Sequence, residues 1–112
     1  MSEADRCDYC LAAHSFIAGN LTKIPADVIE LNRKGRSSDP KRQAAVAFAK
    51  ALIETRGKVS DAQFASVRDA RWTDANIVEM IALTARFLLI NFMNNAVQTP
   101  IDFPEVSPAK AA

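Results

Sequence analysis

An all-α domain of about five helices is the fold class this sequence predicts, and three observations carry it. No run alternates apolar and polar residues between turn residues, so no strand is expected. Helix-start signals recur instead: Ser38-Asp39-Pro40, Ser60-Asp61-Ala62-Gln63 and Thr73-Asp74-Ala75-Asn76 each set a capping side chain ahead of an apolar segment. The 112 residues, 49% of them hydrophobic and 24% charged, suffice for one domain with a real core. Repeats of roughly 20–50 residues are not seen.

The first helix is expected from Cys7 or Asp8 to about Gly19-Asn20. Asp5 or Ser2 would cap it, Ala12, Ala13, Phe16 and Ile17 would face inward, and Gly19 would give a left-handed exit. Pro25 suits the first turn of a short second helix with Val28, Ile29 and Leu31 on its apolar face, stopped at Gly35. Pro40 opens a third that carries Ala45, Val46, Phe48, Ala49, Leu52 and Ile53 and stops at Gly57. The capping box at Ser60 starts a fourth, through Phe64 and Val67. The fifth and longest runs from Asp74 to about Val97 and is apolar on most of its circumference between Ile77 and Met93. A helix of that kind is buried on all sides, which in so small a domain calls for a second subunit. Pro100, Pro104 and Pro108 mark Thr99–Ala112 as an extended tail with a frayed end.

The formal net charge of +1 points to neither nucleic acid nor an anionic membrane as a partner. The densest basic cluster, Arg33, Lys34, Arg36, Lys41 and Arg42, reads as a solvated turn with cations at helix ends. The N-terminus lacks the basic and apolar regions of a secretory signal. The longest apolar run, interrupted by Thr84, Arg86 and Asn91, reads as too short and too polar for a membrane span. A cytoplasmic protein is expected, and there a CxxC pair is more often catalytic or metal-binding than a permanent staple.

Both cysteines and the only histidine lie in Cys7-Asp8-Tyr9-Cys10-Leu11-Ala12-Ala13-His14. On a helix, at ~100° per residue, all three fall on one face, with Cys10 one turn and Cys7 two turns before His14. Four readings compete. A structural zinc site needs four ligands, and the chain offers no further Cys or His, so a carboxylate or a second subunit would have to supply the last. Haem attachment needs His directly after the second cysteine, where Leu11 stands. Two buried cysteines and a satisfied histidine on a core helix form the third reading. Thiol redox chemistry is the fourth: the imidazole takes the proton of Cys10 or stabilises its thiolate, and Cys7, nearer the helix start, resolves a sulfenic acid or mixed disulfide on Cys10. Tyr9 is expected to pack.

The CDYCLAAH stretch resembles the CxxCxxxH signature of the AhpD-like alkylhydroperoxidases, within the carboxymuconolactone decarboxylase superfamily. The resemblance extends to Ile29–Gly35, Val59–Ala62, Thr73–Glu79, Phe92–Asn95 and Pro100–Pro104, nearly the whole chain, although only the CxxCxxxH motif is specific. It implies a single AhpD-like helical domain over residues 1–112, assembled as a homo-oligomer, a trimer or hexamer. It also implies a thiol-dependent peroxidase or disulfide oxidoreductase that reduces hydroperoxides with electrons from a protein dithiol donor. Cys10 corresponds to the cysteine that becomes sulfenic acid, Cys7 to its resolving partner and His14 to the proton relay. No bound metal or organic cofactor is implied.

In that family a glutamate about three turns upstream of the first cysteine completes the relay. Only six residues precede Cys7, so the chain is expected to lack that N-terminal helix, and Glu3 has the wrong spacing. The relay is then shortened, or completed by Glu79 or by an acid of a second subunit; Glu79 otherwise reads as a solvated first-turn acid. Two further functions stay open: a carboxymuconolactone decarboxylase-type lyase with His14 as acid/base, and a non-catalytic redox-sensing oligomeric module.

Overall fold

The computed structural model describes residues 1–108. Their five α-helices are α1 (Asp8–Phe16), α2 (Ala26–Arg33), α3 (Pro40–Glu54), α4 (Asp61–Asp69) and α5 (Asp74–Val97), with no strand among the described residues. A π-helical segment, Ile17–Leu21, prolongs α1.

Helix α1 begins at Asp8, within the expected start, but its cap differs. Arg6 takes a left-handed turn (φ 51°), which makes Cys7 itself the N-cap, with its sulfur accepting from the Cys10 amide at 3.3 Å. Asp5 therefore caps nothing on α1, and its carboxylate accepts from Asn91 Nδ2 at 2.6 Å. Ser2 instead contributes its carbonyl, which accepts from the Cys7 amide at 3.0 Å. The exit also differs. Gly19 stays helical, and the left-handed residue is Lys23 (φ 56°), after the Ile24 amide has closed on the Ala18 carbonyl at 2.9 Å. Ala12 is buried, but Phe16 and Ile17 lie on the exposed side, and Phe16 is covered in part by Phe103 of the tail, with ring centroids 5.6 Å apart.

Pro25 stands one position earlier than expected, as the residue preceding α2, and Gly35 (φ 72°) closes that helix in the left-handed region where a Cβ would meet Lys50 Cδ at 3.1 Å. Asp39 caps α3 through the Arg42 amide at 2.8 Å, with Pro40 at the first helical position. Both capping boxes form: Ser60 with Gln63 on α4, and Thr73 with Asn76 on α5. They fix the entry of the two helices that pack against α3.

The core joins Phe48 and Leu52 of α3, Val67 of α4 and Ile77 of α5. Phe64 meets Phe48 edge-on at 5.4 Å, and Val59, Trp72 and Met80 pack at its margin. The basic cluster is less solvated than its composition implies. Arg33 is held by Glu3 at 2.7 Å and donates to the Ser107 carbonyl at 2.5 Å, tying the N-terminal turns and the tail to the end of α2. Lys41 stands over the Trp72 ring, 4.6 Å from its centroid.

Within the single chain helix α5 is enclosed on one face. Its buried residues, Ile77, Thr84 and Asn91, recur every seven positions on one face, whereas Val78 is 65% exposed and Leu89 61%. By length and composition the 24-residue helix is apolar enough to cross a membrane, so the reading that it is too short and too polar does not hold. Composition of this kind is shared by helices that cover one another in oligomers. The last turn ends at Gln98 in the left-handed region (φ 53°), and the chain continues through Pro108 without helix or strand, as the prolines imply. The expected fraying of the final residues, 109–112, lies outside the described residues.

Candidate active site

Cys7 and Cys10 are joined as a disulfide across the first turn of α1, with their Cα atoms 5.2 Å apart. Both are buried, at 1% and 2% exposure, so the pair lies in the seam between the start of α1 and the second half of α5. Closing so short a loop constrains the unfolded chain by only about 2 kcal/mol in the chain-entropy account. A staple between distant segments would do more, so the pair adds little reinforcement.

Cys7 occupies the N-cap, where its sulfur accepts an amide hydrogen and faces the positive end of the helix dipole. Cys10 accepts a second hydrogen bond at its sulfur, from Asn94 Nδ2 of α5 at 3.4 Å. The two sulfurs thus have different donors: a backbone amide for Cys7, a side-chain amide for Cys10.

His14 lies one turn beyond Cys10 on α1. Its ring tilts against Phe87 of α5, with centroids 5.3 Å apart, and its outer edge is exposed. Partial burial, and next the positive charge of the Met1 amine, hold the imidazole below its ordinary value of 6.5. It is therefore neutral at pH 7 and able to accept a proton. It opens onto a cavity of about 200 Å³ lined by apolar Leu11, Ala18, Ile24 and Ile29 and by Glu3 and Arg33. Neither cysteine lines that cavity.

The lowered value has a consequence for stability. The unfolded histidine binds its proton more tightly than the folded one, so protonation favours unfolding and stability rises with pH through the window below 6.5. Urea melts at about pH 7.5 and about pH 5.5 should show wild type losing stability on acidification, with a smaller loss in His14→Gln. Equal losses in both proteins would contradict the burial of the ring.

The sequence-derived residues are thus partly assembled. Cys10 and His14 lie on α1, with Cys7 at its N-cap. Glu79 does not join them: it is exposed on α5, eight residues, or about 12 Å of helix, from the Phe87 that meets His14. Glu3 serves as the partner of Arg33. Tyr9 packs, edge-on to Phe103 at 5.9 Å.

Asn91, Asn94 and Asn95 are the site residues that motif reading passed over. Asn91 is fully buried and donates to the Asp5 carboxylate, while Asn95 Nδ2 donates to the Asp5 carbonyl at 3.0 Å, so the two fasten the turns ahead of Cys7 to α5. Their signal was present: three asparagines within one helical turn of an otherwise apolar helix need polar partners once buried. Among the described residues, no three His, Cys, Asp or Glu side chains gather as a metal-ligand set. In comparisons with known proteins, no family model matches the chain, and no curated protein matches it.

Proposed function

We propose that this protein is a thiol-dependent oxidoreductase of AhpD type, which reduces hydroperoxides through Cys10 and Cys7 with electrons from a protein dithiol donor. The observation that carries this reading is the Cys7–Cys10 disulfide at the start of α1, with a neutral imidazole one turn further on. In the reduced protein His14 takes the Cys10 proton. The thiolate attacks the distal peroxide oxygen, the O–O bond breaks, and the alkoxide leaves with the proton returned by His14. Cys10 is then a sulfenic acid. Cys7 attacks its sulfur, water leaves, and the disulfide results. A dithiol donor supplies two electrons to restore both thiols. The cavity beside His14 favours small substrates with an apolar body. Since both sulfurs are buried, substrate entry requires the turns before Cys7, held to α5 through Asp5, to open.

Steady-state assays with an alkyl hydroperoxide and a small dithiol test this reading. Turnover that requires both cysteines, and falls at least about tenfold in His14→Ala, is expected. Turnover of a lactone acid by a Cys7→Ser/Cys10→Ser protein would favour the lyase instead.

The active form is proposed to be a homo-oligomer, a trimer or hexamer. Val78, Ala82, Ala85, Leu89, Phe92 and Ala96 are all exposed and alternate spacings of four and three, the seam pattern of packed helices. Arg86 borders the seam at mid-helix, where lipid would cost about 2.5–3.5 kcal/mol and a protein neighbour can offer a partner. Sedimentation at micromolar concentration should show an oligomer for wild type and a smaller species for Leu89→Glu. A wild-type monomer would contradict the assembly.

A further inference from the structure

We propose that Asn94 is a catalytic residue of the disulfide–thiol cycle, donating its side-chain N–H to the Cys10 sulfur and stabilising the thiolate there, with Thr99 as the positioning residue that aims it. This deepens the redox reading and rests on it. The geometry leaves the amide one orientation. Asn94 Nδ2 has two hydrogens, and its two acceptors are the Ile90 carbonyl at 3.1 Å and Cys10 Sγ at 3.4 Å. Its Oδ1 accepts from the Thr99 hydroxyl at 2.7 Å. Rotating the amide by half a turn would set Oδ1 against a carbonyl oxygen and a sulfur lone pair, and would present the NH₂ to a hydroxyl that now donates.

Thr99 reaches Asn94 because of how α5 ends. Gln98 turns left-handed, the Thr99 amide folds back onto the Asn94 carbonyl at 3.1 Å, and the Thr99 hydroxyl closes on the same residue's side chain. Backbone and side chain of one residue thus hold one asparagine from both sides. A terminus of this kind is stiffer than a frayed one.

The donor acts wherever Cys10 carries charge. In reduction, a thiolate of the dithiol donor attacks Cys7 Sγ. The Cys7–Cys10 bond breaks, and its electron pair passes to Cys10, which leaves as a thiolate accepting the Asn94 N–H. The donor's second thiolate then attacks the donor sulfur of the mixed disulfide and releases Cys7, so the donor is oxidised to a disulfide and this protein reduced by two electrons. In peroxide reduction the same N–H steadies Cys10 before it attacks. The titratable groups brought to this end of the α1–α5 contact are Asp5, bound by Asn91 and Asn95, and His14 one turn along α1; Asp8 and Asp102 are exposed. The Met1 amine faces Asp5 and His14, and Arg6 and Tyr9 flank the cysteines in the chain, but the group that donates a hydrogen bond to the Cys10 sulfur is the Asn94 amide.

The pH dependence of Cys10 alkylation in the Cys7→Ser background of the full chain tests this, with and without Asn94→Ala, Asn94→Asp and Thr99→Val. Asn94→Ala should raise the midpoint by about one unit, a roughly tenfold smaller thiolate fraction at any lower pH. Asn94→Asp, close in shape, should raise it further, and Thr99→Val should fall between wild type and Asn94→Ala. Unchanged midpoints in both Asn94 variants would overturn the assignment. Shifted midpoints in a protein that neither consumes hydroperoxide nor accepts electrons from a dithiol would uphold the Asn94–Cys10 contact while refuting the redox function and, with it, the catalytic role of Asn94.

Discussion

Replacing Cys10 by serine is expected to lower hydroperoxide turnover by at least about a thousandfold, because the group that receives the peroxide oxygen is gone. The fold should survive the change. Serine is smaller and its hydroxyl can accept the Asn94 hydrogen that the sulfur now accepts. Cys7→Ser should behave differently. Serine is itself a good N-cap, so α1 keeps its start, and Cys10 should still react once and then stay as sulfenic acid for want of a resolving thiol. A burst of one equivalent followed by arrest, with label from a sulfenic-acid reagent on Cys10, separates the two roles. Label on Cys7 in the Cys10→Ser protein, with a burst of equal size, would reverse the assignment.

The largest effect on stability is expected at Phe48. Its ring is 2% exposed, central to the cluster with Leu52, Val67 and Ile77, and stacked edge-on with Phe64. Truncation to alanine removes most of that contact from three helices at once and should cost about 3–5 kcal/mol. At roughly 4–8 °C for each kcal/mol in a domain of this size, the thermal midpoint should fall by on the order of 20 °C. Circular dichroism melts of Phe48→Ala check this. A drop of less than about 5 °C would mean that the α3–α4–α5 cluster is not the main core.

The sequence was most legible where one side chain answers to its neighbours along the chain. Asp39 with Pro40, Ser60 with Gln63 and Thr73 with Asn76 are local devices, and each starts its helix where the pattern says it should. The start of α1 follows the pattern, but its cap does not, because the cap is a cysteine, and sulfur is a weaker and rarer acceptor than the carboxylate of Asp5 three residues ahead of the helix. Asp5 is diverted by Asn91 and Asn95, residues far along the chain, and no local rule anticipates such a pairing. The exit at Lys23 rather than Gly19 has a similar origin: a π-helical turn absorbs the glycine and carries the reversal four residues further.

Within the site, spacing was enough to place Cys7, Cys10 and His14 on one helix. It was not enough for what comes from α5. Asn94 and its lock on Thr99 depend on the crossing of α1 and α5, a tertiary fact. The apolar composition of α5 calls for cover on most of its circumference but does not say what supplies it. One face meets this chain, and the opposite face carries the three-and-four spacing that a neighbouring copy would fill.

The intact mass of the fully reduced protein, taken after one equivalent of an alkyl hydroperoxide, tests the redox account most directly. Loss of two hydrogens, a new Cys7–Cys10 linkage in the peptide map, and return to the starting mass on addition of a dithiol are the expected results. Unchanged free thiols at both positions, with hydroperoxide unconsumed, would contradict it.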